Sequence, residues 1–162
     1  MVVWITGFSG AGKTTLARAV SKQLCSTGLH PLLLDGDEMR AVLGEESGVS
    51  HEERRKLSHV YSRLARLLSE QGFLVIVATI SMFEEVRRWN RDNNKQYIEV
   101  YLRISQQERE LRDAKGLYKR NLDMVDNSYE EPWYSDFCFD ERTSLEQQAR
   151  LVTEKCLECL KI

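Results

Sequence analysis

"GFSGAGKTT" at residues 7–15 decides how this chain is read. Gly7-x-x-x-x-Gly12-Lys13-Thr14 has the spacing G-x-x-x-x-G-K-[ST], between a short β-branched run ("VVWIT", 2–6) and a stretch of helical spacing, as the motif requires. Glycines allow successive N–H groups to point inward, and the helix N-terminus adds partial positive charge. Lys13 reaches the β- and γ-phosphates of a nucleotide, and Thr14 ligates Mg²⁺. Donor binding is assigned to Gly7, Ser9, Gly10, Ala11, Gly12, Lys13, Thr14 and Thr15. The bland alternative is a glycine-rich turn without a ligand, and the two correct flanks argue against it.

Outward from this loop the pattern alternates. Leu16, Ala19, Val20 and Leu24 follow helical spacing from Lys13 to about Thr27, with Gly28 as a stop. "PLLLDGD" reads as a second strand with carboxylates at its C-terminal end, and "EMRAVLG" as a short helix closed by Gly44. Ser50-x-x-Glu53 is a capping box. It opens a long helix with an apolar face of Leu57, Val60 or Tyr61, Leu64, Leu67 and Leu68, ending at Gly72. "FLVIVATI" at 73–80 is the most apolar stretch and the best central strand. A basic helix ("EEVRRWNRDN"), a strand ("YIEVYLR", 97–103) and a short helix ("QQERELRD") follow. Periodicity then fails from Ala114 to about Ser135. "DFCFD" is a last short strand, and Leu145, Ala149, Val152, Cys156 and Leu160 stripe a final helix. The order β-α-β-α-α-β-α-β-α-loop-β-α predicts an α/β fold, a mostly parallel sheet with helices on both faces. Ligands bind such sheets at the carboxyl ends of the strands. That rule predicts one shared site from residues 7–15, 35–40, 79–83 and the irregular stretch after 112.

Bulk properties bound the function. A chain of 162 residues fits a single domain, 1–162, and a net charge of −2 gives no support to a nucleic-acid or membrane partner. No apolar run is long enough to span a bilayer, and "MVVWITG" is not a signal peptide, so the expectation is a cytoplasmic protein. Of Cys25, Cys138, Cys156 and Cys159, the last two are spaced C-x-x-C without a second pair, which favours reduced, partly buried thiols over a zinc site. His30, His51 and His59 are scattered and read as surface residues.

Three further clusters carry chemistry. In "DGD" at 35–37 with Arg40, Asp37 either orients or deprotonates a hydroxyl acceptor while Arg40 holds an acceptor phosphate, or Asp37 caps a helix and Arg40 is solvated. Arg87, Arg88 and Arg91 around Trp89 form a solvated helix face or send an arginine to an anionic substrate. "RDAKGLYKR" at 112–120 is a solvated loop or a basic segment that closes over phosphates, neutralising charge and excluding water. The strand at 73–80 lacks a terminal carboxylate, so metal support falls to Thr14 with Asp35 or Asp37. Thr14 and Asp35 are assigned to Mg²⁺. GTPase signatures, a Ser-His-Asp triad and a glycosidase pair are all missing.

Taken together, "GFSGAGKTT", "LDGDEMR", "SHEERR", "ATIS", "RRWNRDN", "EVYLR", "RDAKGLYKR" and "VDNSYEEP" resemble the adenylylsulfate (APS) kinase family over nearly the whole chain. The resemblance implies a P-loop NTPase-type three-layer sandwich with a mobile lid at about 112–135, and a homodimer. It implies ATP- and Mg²⁺-dependent transfer of a γ-phosphoryl group to the ribose 3′-hydroxyl of a small nucleotide. It places Asp37, Arg40, Arg54, Ile80, Ser81 and Lys115 at the acceptor and Arg112 near ATP. Lys13, Asp37 and Ser81 are the implied catalytic residues. Ser81 holds the serine of the family's I-S-P motif, to which some members assign a phosphoserine intermediate, although in-line transfer needs none.

The departures lie on the acceptor side. The family's R-x-x-N reads Arg54-x-x-Leu57, I-S-P reads Ile80-Ser81-Met82, the arginine after the next aromatic is Glu84, and F-T-G-I-D reads Leu122–Asp126. Loss of an amide and a stacking aromatic weakens discrimination for adenine, by about 1–3 kcal/mol for stacking. The variant pattern resembles the APS-kinase-like proteins of surface-polysaccharide pathways, some of which act on cytidine diphosphoramidate. Two rivals remain: a non-catalytic nucleotide-binding regulatory protein, and a gluconate-type metabolite kinase, which does not account for DGD-x-x-R or KGLY.

Overall fold

The computed structural model describes residues 1–44, 50–112 and 129–161. The first half of the chain runs β1 (Val2–Thr6), α1 (Lys13–Cys25), β2 (Leu32–Asp35), α2 (Gly36–Val42), α3 (His51–Glu70) and β3 (Val75–Ala78). The second half runs α4 (Glu84–Asn93), β4 (Tyr97–Leu102), α5 (Gln106–Leu111), β5 (Phe137–Phe139) and α6 (Leu145–Leu160). This is the expected order of elements. The strands form one sheet, β2-β3-β1-β4-β5, with every pair parallel. β1 takes the centre, with β3 beside it, and both are buried at every residue, which is why their sequences are continuously apolar rather than alternating.

Two apolar layers hold helices on either face. Val3, Ile5, Ile76, Ile98 and Val100 pack with Leu16, Val20 and Leu24 of α1 and Val152 and Cys156 of α6. Val2, Trp4, Val75 and Val77 pack with Leu57, Tyr61 and Ala65 of α3 and Val86 of α4. Each such fully buried large side chain contributes roughly 1.5–3 kcal/mol. The capping box at Ser50 and Glu53 is present as expected.

The long helix differs from its expected face. Of the expected alternatives Val60 and Tyr61, Tyr61 is the buried one, beside Leu57, but Leu67 is 52% exposed and Ser58, Ser62 and Ala65 are buried instead. The small residues let α3 lie close to the sheet, and Ser58 satisfies its hydroxyl on the Arg54 carbonyl (2.8 Å). Leu145, expected in the core stripe of α6, is likewise 43% exposed. Most of the expected lid, residues 113–128, lies outside the described residues.

Candidate active site

β1, β2 and β3 end on one edge of the sheet, and a cleft of about 650 Å³ opens there. The turn after β1 passes too close to β4 for any side chain. Gly7 has φ 148°, and a Cβ there would meet the Leu102 carbonyl oxygen at 2.8 Å. Five residues on, Gly12 is the N-cap of α1 in the left-handed region (φ 95°), with nothing within 4 Å of a would-be Cβ. α1 has no side-chain cap and no acidic residue in its first turn, so its N-terminus presents backbone donors and positive potential to the cleft. Ser9, Gly10, Ala11, Gly12, Lys13, Thr14 and Thr15 all line the cleft, while Gly7 lies behind them. Lys13 Nζ donates to the Phe8 carbonyl at 2.8 Å, which lays the ammonium across the loop.

The second strand end supplies carboxylates in two roles. Asp35 is buried, its Oδ1 accepting from the Asp37 N–H (2.9 Å) and its Oδ2 from the Thr14 hydroxyl (2.5 Å). Asp35 is therefore the N-cap of α2, which corrects the reading of Asp37 as the cap. Capping requires extended φ/ψ, and the strand delivers that at Asp35. Asp37 stands in the first turn, exposed to the cleft and ion-paired with Arg40, so neither is merely a solvated surface group.

The donor set beside the loop fits Mg²⁺. A hydroxyl and one carboxylate stand side by side, and among the described residues there is no group of three or more His, Cys, Asp or Glu. Mg²⁺ keeps several waters and uses one or two carboxylates plus substrate phosphates, so a dense protein cage is not required. Cys25, Cys138, Cys156 and Cys159 are free, and burial pushes the Cys156 thiol up to about 12.

The third strand end brings Thr79 and Ile80 to the cleft. Thr6 Oγ1 donates to the Ile80 carbonyl, fixing this turn to β1. Ser81 turns inward at φ 27° and is buried, its hydroxyl bonded to Ser58 (2.7 Å) and Thr79 (3.0 Å). It does not line the cleft. Nor does Arg54, whose Nη1 donates to the Tyr129 hydroxyl (3.1 Å). Arg112 does line it and pairs with Glu108 (2.9 Å). Lys115 and the stretch Leu122–Asp126 lie outside the described residues.

Sequence reasoning missed one wall. Glu141, Thr143 and Ser144, from the turn between β5 and α6, and Gln148 of α6 also line the cleft. The carboxyl-edge rule that placed the other segments applies equally to "DERTS" after β5, so the signal was present.

The basic helix is also corrected. Arg87 is fully buried against Glu84 (2.7 Å) and Glu99 (3.5 Å), and Arg91 bonds Glu99 at 2.8 Å. These two arginines are committed internally and form neither a solvated face nor a hand toward substrate; Arg88 alone is exposed. Burial raises Glu99 to about 7 against the opposing pull of Arg91 and Arg87. His51 and His30 are exposed as expected, while His59 is partly buried against Glu85 (3.0 Å).

A phosphate loop on an uncapped helix, facing a strand-end carboxylate and a second Asp–Arg pair, is machinery for moving a phosphoryl group onto a hydroxyl, and it places the protein among the P-loop kinases. Comparison with known proteins narrows this class. The family model described as adenylylsulphate kinase matches residues 1–140. The adenylyl-sulfate kinase of Vibrio cholerae is 37% identical over 99% of this chain and 76% of its own. The cytidine diphosphoramidate kinase of Campylobacter jejuni is 34% identical over 95% of each chain. The Mycobacterium tuberculosis APS kinase CysC, solved with AMPPNP and APS, superposes with TM-score 0.85 at 32% identity, over 94% of this chain and 95% of that one. The chain belongs to the adenylylsulphate kinase family, and it is an ATP-dependent phosphotransferase with a hydroxyl acceptor.

Proposed function

We propose that this protein transfers the γ-phosphoryl group of ATP to the ribose 3′-hydroxyl of a small nucleotide, with adenylyl sulfate as the first candidate. The observation that carries the reading is the convergence of the loop at 9–15, Asp35, Asp37 and Arg40 on one cleft. Lys13 and the α1 N-terminus hold the β- and γ-phosphates. Thr14 and Asp35 would hold Mg²⁺, which supplies charge neutralisation between the phosphates. Asp37 accepts the hydroxyl proton as the acceptor oxygen bonds to the γ-phosphorus, and the bond to the β-phosphate oxygen breaks to release ADP. Arg40 steadies the acceptor phosphate beside Asp37. Arg112 serves the ATP side, and Arg54, Ile80 and Lys115 serve the acceptor. Ser81, buried in its hydroxyl network, holds the turn rather than carrying phosphate.

A cytidine nucleotide is the second reading. The Campylobacter jejuni cytidine diphosphoramidate kinase matches this chain over 95% of each. Leu57 is buried in the core, so α3 offers no amide at that position for an adenine. Steady-state rates with adenylyl sulfate and with cytidine diphosphoramidate decide between them. Negligible turnover of both would remove either acceptor. The chain acts as one kinase domain, 1–162, in the cytoplasm, as a homodimer with a lid at about 112–135 closing over bound nucleotide. Light scattering of the purified protein checks the dimer.

A further inference from the structure

The described chain resumes at Tyr129 after the segment 113–128, and it does so against the start of α4. Glu130 N–H donates to the Met82 carbonyl (2.8 Å), and the Glu130 carboxylate accepts from the Glu84 N–H. That second bond matters because the N-cap of α4, Phe83, has no side-chain cap of its own. Arg87 lies beneath both. Its Nη1 donates to the Glu130 carbonyl (2.8 Å), its Nη2 to Glu84 (2.7 Å), and its Nε sits 3.5 Å from Glu99. Tyr129 in turn packs between Phe83 (ring centroids 5.6 Å) and Phe8 of the phosphate loop (6.1 Å), and takes the Arg54 hydrogen bond.

A fully buried arginine is a poor way to add stability. Desolvating the two charges commonly offsets their attraction, and apolar replacements of such pairs are often neutral. What the arrangement supplies is geometry. Glu84 and Glu130, 46 residues apart, are fastened to one guanidinium. Glu84 opens α4 directly after the 79–83 turn, which presents Thr79 and Ile80 to the cleft and is itself tied to Glu130 through the Met82 carbonyl. Glu130 marks the end of the segment that carries Lys115.

We infer that Arg87 is a positioning residue for phosphoryl transfer, locking the 79–83 turn to the chain at Tyr129–Glu131 so that the acceptor side is held in register with the phosphate loop. The inference rests on the proposed acceptor site. Arg87 touches no substrate and acts through Glu84, Glu130 and the turn.

The test compares Arg87→Met, Arg87→Lys and Glu130→Ala with the wild type. Kinetics are measured with ATP and whichever nucleotide the wild type phosphorylates, and backbone hydrogen exchange is followed in peptides covering 7–15, 79–86 and 129–134. Arg87→Met should raise KM for the acceptor or lower kcat on the order of 10- to 100-fold, the scale of small misplacement, with KM for ATP within about twofold. Arg87→Lys, able to keep part of the fastening, should recover part of the loss. Exchange should rise in 79–86 and 129–134 together, and not in 7–15. Glu130→Ala removes the cap on Glu84 but keeps the Arg87 bond to the Glu130 carbonyl, so it should disturb acceptor kinetics less than Arg87→Met, and Arg87→Lys carries the test if Arg87→Met fails to fold. Acceptor kinetics unchanged in a folded variant, exchange rising in one segment alone, or equal loosening of all three would each overturn the inference. If the wild type phosphorylates no nucleotide, the functional proposal fails, while the exchange measurement still decides whether the fastening exists.

Discussion

The Thr14 hydroxyl and the Asp35 carboxylate meet at 2.5 Å, joining the first turn of α1 to the end of β2. Asp35 also caps α2 through its other oxygen. Asn at this position retains a cap acceptor and loses the charge. Asp35→Asn should therefore change the unfolding free energy by less than about 1 kcal/mol, while raising the Mg²⁺ concentration for half-maximal activity about tenfold or more. A Mg²⁺ titration beside urea unfolding reads both. An unchanged Mg²⁺ requirement removes Asp35 from the metal site.

Lys13 and Asp37 should fail differently. Lys13→Ala should abolish transfer with an intact fold, since one electrostatic donor at a transferring group is worth about 10²–10³ in kcat. Asp37→Asn should lower kcat about 10²–10⁴-fold, the range for a positioned base, with a much smaller effect on ATP binding. Wild-type kcat in either variant, measured with a coupled ADP assay and nucleotide titration, refutes that residue's assignment.

The sequence pattern made the donor side legible because a phosphate loop is local: nine consecutive residues specify a turn, a helix start and a cation. The parallel sheet was legible for a similar reason, since β1 and β3 are short apolar runs ended by their own site residues. Tertiary partnering was not legible. Arg87 reads as a surface charge until β4 places Glu99 beneath it, 12 positions away in sequence and 3.5 Å away in space. The face of α3 was misjudged because buried serines carry no apolar signal. The wall of the cleft after β5 was missed because "DERTS" has no motif, only a position at the carboxyl edge of the sheet.

The two loop glycines should separate stability from activity. Gly7→Ala sets a Cβ 2.8 Å from the Leu102 carbonyl in a backbone conformation that L residues rarely adopt, and neither backbone can move away freely. It should cost at least ~2 kcal/mol. Gly12→Ala meets no atom and bears only the left-handed penalty, about 1–2 kcal/mol. Gly12 lines the cleft within the proposed phosphate cradle, so activity should fall further than stability. Urea midpoints of the two variants check the order. A Gly7→Ala protein as stable as wild type would contradict the packing of the turn against β4.

The buried network predicts an unusual pH dependence. The carboxylate of Glu99 faces Arg87, Arg91 and Glu84 from α4 and the Tyr97 hydroxyl from its own strand, and its backbone N–H donates to the Asp136 carboxylate (2.7 Å). Burial is the largest influence on it and lifts it from 4.5 to about 7. A carboxyl raised in the folded state binds its proton more tightly there than in the unfolded chain. The stabilisation from that proton is complete below 4.5 and is lost as pH rises through about 7. Glu85 runs the opposite way. Arg55 holds it down to about 2, so its contribution is present above 4.5 and is lost only as pH falls toward 2. Below pH 8 the Met1 ammonium, which burial lowers from 8.0, pulls the other way, so the Glu99 effect is read as the difference between wild type and a Glu99 variant. Between pH 5 and 8, Glu99→Gln should remove a decline on the order of 3 kcal/mol. Urea unfolding of both proteins at four pH values across this window reads the difference, and identical slopes would mean that Glu99 stays ionised throughout.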